Sequence, residues 1–491
     1  MLWRGRHQGG NRWRRRSGVP ILVAGIPTPA GRGSLNEVLL RKVLFPAYET
    51  LVRRRGTAGY VAEYATSQWL PPAELQALQL RKLNALLAHC WAHVPFLQEH
   101  WRAAGCRPGP LQHVDDLARF PVLTKQLITQ HYADMIAVPW RGRTISKTTG
   151  GSTGDPFRFE YTMEVYARRT AVMWRGYGWG GAGLGVRAAY LWAIGAKPSL
   201  KERLYHRAFN RHYFDAFTMS ESSIDAHIEA IARYRPRAIV GYVTPLVLVA
   251  RRMRESGRRL QGVQGVITGA EALFEPERRE IEAAFGCPVF NTYGSREVML
   301  MAAECDHHQG LHVNADHLAF ETLGPDGAPV HGEAGDVAIT DFHNFGMPMV
   351  RYLNGDRATY AGQPCGCGRG LPLLSSIDGR ILDLIQTPDG RHVPGEYFVV
   401  VMLDWPDVKQ WQVVQTAPDC VQFRLVVPAP WTDERRQKLT AKVHAKSGPT
   451  LRVEIVEVEA IPTTSTGKRR LTISLANAHM VPPLAPTDGT P

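Results

Sequence analysis

A Thr/Ser/Gly-rich segment, TTGGSTGDPF at 148–157, is the first stretch of the chain whose residue types suggest chemistry. Its hydroxyls and backbone N–H groups can donate to an anion, and its glycines let the backbone approach a ligand closely. Such a loop suits the phosphates of a nucleotide, although it lacks the Gly-Lys-Ser/Thr ending of an ordinary P-loop. The candidate phosphate-binding residues are Thr148, Thr149, Gly150, Gly151, Ser152, Thr153 and Gly154.

Two later segments place an acid and a lysine where they could assist the same chemistry. NTYGSRE at 291–297 puts Glu297 shortly after a predicted Tyr-Gly turn, and PTTSTGKRR at 462–470 puts Lys468 on a Gly-containing loop. A carboxylate is the kind of oxygen ligand that Mg²⁺ prefers, and a lysine can stabilise negative charge that grows in a transition state. By itself, Lys468 would fit a solvated basic turn equally well.

Together, in this order and at these distances, the three segments resemble those of the adenylate-forming enzymes, which include acyl-CoA synthetases, luciferases and peptide-synthetase adenylation domains. The chain looks most like the phenylacetate–CoA ligase and CapK-like branch, and the resemblance covers about residues 75–475. It implies an AMP-forming ligase that uses ATP and Mg²⁺ to activate a small carboxylic acid. The acid could be aromatic and phenylacetate-like, and the expected acyl acceptor is CoA.

The resemblance also assigns roles to individual residues. Glu297 would bind Mg²⁺, Tyr293 would stack on adenine, and Lys468 would be catalytic. The further nucleotide-binding positions that it implies are Gly269, Ala270, Glu271, Gly294, Ser295, Asp356 and Arg380, the last two on the ribose. The chain departs from the family at the hinge, where Leu382 stands in place of the usual Asp or Lys, so the pivot of the small domain is left open.

Length and texture predict an α/β fold, with a large N-terminal domain of mixed sheets and helices and a small α+β C-terminal domain. The resemblance implies that the first is the adenylate-forming domain and the second its lid. A chain of 491 residues exceeds the size of one hydrophobic core. Short apolar runs alternate with helical stretches from 144 to 374, which is typical of α/β domains. The predicted segments are a disordered basic arm (1–34), an AMP-binding domain (35–378), the lid (379–478) and a disordered tail (479–491).

Charge and hydropathy narrow the class of partner. The net charge is +13, and six arginines in the first 16 residues carry nearly half of it. The remaining basic surface suits anionic ligands such as ATP or CoA better than nucleic acid. No run of about 18 apolar residues predicts a membrane span. We expect a cytoplasmic protein, and its oligomeric state, which could be a dimer, is left open.

A second group of residues predicts a structural zinc site. Cys365 and Cys367 stand one residue apart in PCGCGR, and Cys305 lies in ECDHHQGLH near several histidines. Thiolates and imidazoles at such positions can bind zinc tetrahedrally, and the match to similar segments in the same branch strengthens the assignment. The favoured ligands are Cys305, His312, Cys365 and Cys367, with His308 as the alternative fourth ligand. Reduced cysteines at a turn are the other interpretation.

The residues of the acyl pocket are the hardest to predict from the sequence. Aromatic and apolar residues there could hold an aryl acid or simply fill the core, and none stands out as a partner for the far end of a substrate. The candidates are Tyr190, Trp192 and Tyr242, with Trp174, Tyr177, Trp179, Phe214, Phe217 and Val243 as further ones.

Three rival functions differ in what happens after, or instead of, adenylation. The acyl group could pass to an amine, a sugar or a carrier protein in capsule, exopolysaccharide or secondary-metabolite biosynthesis. The chain could also be a non-catalytic, zinc-stapled binding protein, although intact Glu297, Asp356 and Lys468 speak against that. A nucleic-acid-binding role, suggested by the arginine arm, is the least favoured.

Overall fold

The computed structural model of the chain describes residues 35–149, 157–192, 199–216, 219–378, 385–393, 395–402, 404–405, 407–408, 410–461 and 471–474. Its strands are β1 (Ile145–Thr149), β2 (Phe157–Tyr161), β3 (Ala188–Trp192), β4 (Arg211–Asp215), β5 (Ala238–Gly241), β6 (Gly265–Thr268), β7 (Val289–Ser295), β8 (Met299–Glu304), β9 (Leu311–Val313), β10 (Leu318–Leu323), β11 (Gly335–Asp341), β12 (Tyr352–Tyr360), β13 (Leu373–Asp378), β14 (Ile385–Gln386), β15 (His392–Val393), β16 (Gln410–Ala417), β17 (Cys420–Val426), β18 (Arg452–Glu457) and β19 (Thr472–Ile473).

Helices surround these strands. They are α1 (Leu35–Leu39), α2 (Phe45–Ala47), α3 (Thr57–Ser67), α4 (Pro72–His93), α5 (Pro95–Ala103), α6 (Lys125–Gln130), α7 (Tyr132–Met135), α8 (Met163–Trp179), α9 (Leu200–Ala208), α10 (Glu221–Tyr234), α11 (Val243–Glu255), α12 (Glu275–Phe285), α13 (Gly395–Met402) and α14 (Asp433–Ser447). Two π-helical turns (Leu40–Leu44 and Tyr48–Val52) and two 3₁₀ turns (Val114–Arg119 and Val138–Trp140) lie between them.

A large mixed sheet organises the first part of the chain. Among the described residues it has eleven strands, in the order β10-β11-β12-β13-β9-β8-β7-β6-β5-β3-β4. The strands from β4 to β7 run parallel, and those from β7 to β10 run antiparallel. Because ligands bind beyond the carboxyl ends of parallel strands, the ends of β3, β5, β6 and β7 mark the edge where a site is expected.

Helix α8 lies close to this sheet and begins at a well-formed cap. The side chain of Thr162 accepts from the backbone N–H of Val165 at 3.3 Å, which satisfies one of the free donors of the first turn. Along the helix, Val165, Ala171 and Val172 are buried. The helix thereby presents its residues to the sheet at helical spacing.

The C-terminal part is a small α+β unit. Four of its six described strands pair in the order β18-β17-β16-β19, and β14 and β15 pair separately. Helices α13 and α14 belong to the same apolar cluster as β16 and β17. Helix α14 starts at Thr432, whose side chain accepts from the N–H of Arg435. The buried residues Leu439 and Val443 lie on one face of the helix.

The predicted α/β fold is confirmed. One local prediction is wrong: Tyr293, Gly294 and Ser295 do not form a turn but are the last residues of β7, and the turn to β8 follows them. Gly294 is needed there because a Cβ atom at this position would lie 2.1 Å from the carbonyl oxygen of Met299. Within the described part of the chain, no helix is both long and apolar enough to cross a membrane.

Candidate functional site

A large cavity opens at the carboxyl ends of the parallel strands. Its volume is about 1300 Å³, which exceeds the usual size of a site for one small ligand. Residues from the ends of β6 and β7 and from β12 line it, together with aromatic residues of α8, β3 and β4. The cavity therefore has a polar part near the strand ends and an aromatic part along the sheet.

In the polar part, a hydrogen-bonded group joins β7 to β12. The hydroxyl of Tyr293 donates to Oδ2 of Asp356 at 2.8 Å, and the amide of Asn354 donates both to the Tyr293 hydroxyl and to Asp356 Oδ2, each at 2.8 Å. The backbone N–H of Asp356 donates to Asn354 Oδ1 at 3.0 Å. These contacts fix the Asp356 carboxylate beside the Tyr293 ring, and all three residues line the cavity.

Glu297 lies in the turn after β7 and is almost fully buried, with 4% of its surface exposed. Its Oε1 accepts from the hydroxyl of Tyr352 at 2.9 Å, and the Lys125 ammonium lies 3.8 Å from the same oxygen. A buried carboxylate requires such partners, because desolvation otherwise penalises its charge. Both Glu297 and Lys125 line the cavity, so this carboxylate is held where it could bind a cation carried by a ligand.

The segment from Gly269 to Glu271 follows β6 and also lines the cavity. A Cβ atom at Gly269 would lie 2.9 Å from Thr292 Oγ1, so the close approach of β6 to β7 favours glycine. Ala270 has φ +68°, a left-handed conformation that turns the chain away from the strand. The Glu271 carboxylate accepts from the backbone N–H of Thr244 at 2.6 Å, which ties the segment to the start of α11.

The Thr/Ser/Gly-rich segment is bracketed by a hairpin. Strands β1 and β2 pair antiparallel from Ile145↔Tyr161 to Thr149↔Phe157, so Thr148 and Thr149 lie at the tip end of β1. Gly150, Gly151, Ser152, Thr153 and Gly154 lie outside the described residues. So do Arg380, Leu382 and Lys468.

The three favoured acyl-pocket residues lie at the aromatic part of the cavity. Tyr190, Trp192 and Tyr242 all line it, and the rings of Trp192 and Tyr242 stack with their centroids 4.4 Å apart. Trp174 and Tyr177 of α8 line the cavity as well.

Three of the further candidates are placed elsewhere. Phe214 and Val243 pack in a core cluster with apolar residues of α10, α11 and α12. Trp179 lies at the end of α8, where its ring contacts His312 edge-on at 5.6 Å. These three residues do not line the cavity, and Phe217 lies outside the described residues.

A cluster of cysteines and one histidine lies beside the sheet. The side-chain donor atoms of Cys305, His312, Cys365 and Cys367 all lie within 4.8 Å of one another. The two sulfurs of Cys305 and Cys365 are 3.7 Å apart, and Cys367 Sγ is 3.3 Å from His312 Nε2. Tetrahedral ligands at a Zn–S distance of about 2.3 Å would be separated by nearly these distances.

The hydrogen bonding of His312 suits metal binding. Its Nδ1 lies 3.1 Å from the carbonyl oxygen of Leu371, so Nδ1 carries the proton and Nε2 presents a lone pair toward the sulfurs. Burial lowers the pKa of His312 to about 4, which keeps the imidazole neutral. His308, the alternative ligand, is turned away, with Nδ1 3.2 Å from Glu304 Oε1.

Sequence reasoning missed Lys125, Tyr352 and Asn354, although all three hold the residues that it singled out. Asn354 and Tyr352 stand within four residues of Asp356 in the segment RYLNGD. They alternate along β12 with the period of a strand, so a strand prediction there would have placed them on the same face as Asp356. Lys125 is the first residue of α6, and no motif around it in the sequence indicates a role at the site.

Comparisons with known proteins agree with this architecture. A family model described as the CapK C-terminal domain matches residues 385–475. The phenylacetate–coenzyme A ligase of Thermus thermophilus is 25% identical over 83% of this chain and 98% of that protein. The phenylacetate–coenzyme A ligase of Escherichia coli is 28% identical over 64% of this chain and 72% of its own length. Protein CapK of Staphylococcus aureus is 24% identical over 74% of this chain and 81% of its own length.

Solved structures share the fold. A 2-hydroxyisobutyryl-CoA ligase in complex with its acyl-AMP and CoA, in the thioesterification state, superimposes with a TM-score of 0.59 at 21% identity. The alignment covers 83% of this chain and 91% of that one. An open conformation of the same ligase gives a TM-score of 0.55, and the alignment covers 83% of this chain and 93% of that one.

Proposed function

We propose that the chain is an AMP-forming acid–CoA ligase of the phenylacetate–CoA ligase and CapK-like branch of the adenylate-forming enzymes, acting on an aromatic carboxylic acid. The proposal rests most on the one cavity that holds Glu297, Tyr293 and Asp356 at its polar part and aromatic side chains at the other. Its volume suits a nucleotide and an acyl group together.

In the first half-reaction, an oxygen of the substrate carboxylate attacks the α-phosphorus of ATP. An acyl–O–P bond forms, the bond to the bridging oxygen breaks, and pyrophosphate leaves with the electron pair. Positioning and charge stabilisation supply most of the acceleration of such a step. Asp356 would hold the ribose, Tyr293 would lie on adenine, and Thr148 and Thr149 would begin the loop that holds the phosphates.

Two charged residues would act on the phosphates themselves. Glu297 is the proposed ligand of Mg²⁺, which when bound offsets the charge of the phosphate oxygens. Lys468 is the proposed catalytic lysine, whose ammonium would stabilise the charge shared between the carboxylate and the α-phosphate. Arg380 would reach the ribose. In the second half-reaction the thiolate of CoA attacks the acyl carbon, a thioester forms, and AMP leaves.

The Cys305, His312, Cys365 and Cys367 cluster is proposed to bind one zinc ion. Four protein ligands would close the coordination sphere, so the ion would be structural and would not activate water. Cys305 follows β8, His312 lies on β9, and the other two ligands lie in the loop between β12 and β13. The ion would therefore tie that loop to the centre of the large sheet.

A different acyl acceptor is the second candidate. It is favoured by the match of residues 385–475 to the CapK C-terminal domain and by the similarity of the chain to protein CapK of Staphylococcus aureus. In that case an amine, a sugar or a carrier-protein thiol would replace CoA, and the adenylation half-reaction would be unchanged.

The test is pyrophosphate release with ATP and Mg²⁺ over a panel of aryl and aliphatic acids, with and without CoA, for the wild type and for Lys468→Ala. Acid-dependent release that the variant loses would support adenylation. A rise in turnover on adding CoA, with thioester formed, would identify the ligase. Release that CoA leaves unchanged would favour another acceptor, and no release with any acid would contradict an enzymatic role.

A further inference from the structure

The aromatic part of the cavity ends at a cation. Arg211, the first residue of β4, lines the cavity, and its guanidinium lies over the ring of Trp174 at 4.1 Å from the ring centroid. Around it stand Tyr190 and Tyr213, whose rings stack at 4.7 Å, and Tyr177 of α8. A guanidinium that lies over an aromatic ring can still form hydrogen bonds through its N–H groups.

Among the described residues, Arg211 forms no ion pair with an acidic side chain, and its Nε has no hydrogen-bond partner. Glu49 lines the cavity too, but its carboxylate accepts from the hydroxyl of Thr57 at 2.6 Å. By contrast, the buried Arg169 is paired with Asp341 and the buried Arg175 with Asp316. Arg211 is half-buried in the wall of the cavity, so its guanidinium is available to a ligand that supplies a negative charge.

Other polar groups near Arg211 also lack protein partners. Trp174 Nε1, His206 Nδ1 and Arg211 Nε are buried with no hydrogen-bond partner in the part of the chain that the structure describes. Tyr190 is only 6% exposed and lines the cavity, yet its hydroxyl bonds to no described residue. Buried Tyr and Trp polar atoms usually find a partner, so this group of donors indicates that a ligand completes the site.

The strand register places this group far from the polar part of the cavity. Arg211 pairs with Ala188 at the start of β3, whereas Asp215 pairs with Trp192 at its end. Four residues of strand separate Arg211 from the carboxyl edge of the sheet, which corresponds to about 13 Å. A ligand that reaches both ends must therefore be elongated.

From these observations we propose that the acid substrate carries a second carboxylate at its far end, and that Arg211 binds it as the specificity-determining residue. The proposal rests on the proposed function, since it takes the reacting carboxylate to lie at the polar end. The planar guanidinium matches a carboxylate in two parallel hydrogen bonds, and the aromatic walls suit a flat apolar body between the two charged ends.

The experiment compares biphenyl-4,4′-dicarboxylate with biphenyl-4-carboxylate, which has the same body and only one charge. Binding of each is measured by titration calorimetry, and each is then tested as a substrate in the pyrophosphate assay. The proteins are the wild type, Arg211→Met, Arg211→Lys and Arg187→Met. Arg187 is the matched control, because its guanidinium lies over Tyr234 and does not line the cavity.

For Arg211→Met we expect the dicarboxylate to bind about 10- to 100-fold more weakly, as befits the loss of a charge-assisted hydrogen bond. The monocarboxylate should change by less than about 3-fold. Arg211→Lys should recover part of the loss, and Arg187→Met should behave as the wild type. Terephthalate, which is too short to span the cavity, should show no dependence on Arg211.

Equal affinity of the wild type for the two biphenyl acids would overturn the proposal, and so would a loss for terephthalate as large as that for the longer acid. Because calorimetry measures binding alone, this test does not depend on whether the bound acid reacts. If no acid supports pyrophosphate release, the proposed function fails, while the Arg211-dependent difference in binding still decides the present inference. Unchanged ATP binding and unchanged Tm in the variants exclude misfolding as the cause.

Discussion

The hydroxyl of Tyr293 donates to Oδ2 of Asp356 across two strands of the large sheet, at 2.8 Å. The contact joins residues 63 positions apart, and it places an aromatic ring and a carboxylate side by side on one wall of the cavity. A nucleoside presents the same two features, a flat base and a pair of ribose hydroxyls. The hydrogen bond therefore orients the proposed adenosine site before any ligand arrives, which lowers the entropic cost of binding.

Tyr293→Phe should weaken ATP binding while leaving the ring in place. The variant loses one hydrogen bond that orients Asp356, so we expect the KM for ATP to rise about 3- to 10-fold. Steady-state kinetics with varied ATP at saturating acid would measure it. Tyr360→Phe is the matched control, since its hydroxyl donates to the carbonyl of Phe320 at 2.7 Å away from the cavity. Equal KM values in the two variants would contradict the role of this hydrogen bond.

Cys367→Ser should abolish zinc binding. The serine hydroxyl is a much weaker zinc ligand than a thiolate, and a site with three remaining ligands no longer closes the coordination sphere. We expect zinc to fall from about one ion per chain to near zero, with a lower Tm, because metal binding free energy is also folding free energy. Elemental analysis and thermal unfolding would measure both quantities.

The control for this experiment is Cys287→Ser, which alters a half-buried thiol outside the cluster. It should keep its zinc. The zinc assignment would be contradicted if the wild-type protein, purified without chelator and supplied with zinc, held no more metal than Cys367→Ser.

The sequence predicted the fold class and the sets of side chains with strong local signals, and it failed where packing decides. The Cys/His cluster could be predicted because structural zinc sites are built mainly from Cys and His. The four residues that lie together in the structure are the four that the sequence favoured. Trp179 could not be placed from the sequence, because an aromatic residue on a helix gives no sign of which residue it will contact; in the structure its ring contacts that of His312. Arg211 was overlooked because its meaning depends on α8 packing over β3 and β4 and on the strand register.

Arg175→Met should destabilise the protein strongly. Its guanidinium donates to both oxygens of the fully buried Asp316, at 2.5 and 2.9 Å. Burial would raise the pKa of Asp316, but Arg175 and Ser67 hold it below its usual value. Removing the arginine leaves a buried charge without its main partner, so the free energy of unfolding should fall by about 3–5 kcal/mol. Urea denaturation followed by fluorescence would measure it.

An exposed ion pair offers the matched comparison for that prediction. Arg279 is 75% exposed and lies 2.9 Å from Glu275 one helical turn earlier. Arg279→Met should cost no more than about 1 kcal/mol, since solvent screens the pair. If both variants shifted the denaturation midpoint equally, the buried Asp316 would not be the reason for the loss in Arg175→Met.

The buried Glu321 predicts a pH dependence of stability that a single substitution should remove. Its Oε1 accepts from Arg351 Nε at 3.0 Å, yet burial outweighs this contact and raises the pKa of Glu321 to about 7. Since the folded form holds the proton more tightly than the unfolded form, this group stabilises the protein most at low pH. That contribution is lost as the pH rises toward 7. Relative to Glu321→Gln, the wild-type free energy of unfolding should thus fall by up to about 3 kcal/mol between pH 4.5 and pH 7. Urea titrations across this pH range would measure the difference in the free energy of unfolding. Glu333→Gln, which changes an exposed residue, is the control, and its free energy of unfolding should follow the same pH dependence as that of the wild type. A difference between the wild type and Glu321→Gln that stays constant with pH would rule the effect out.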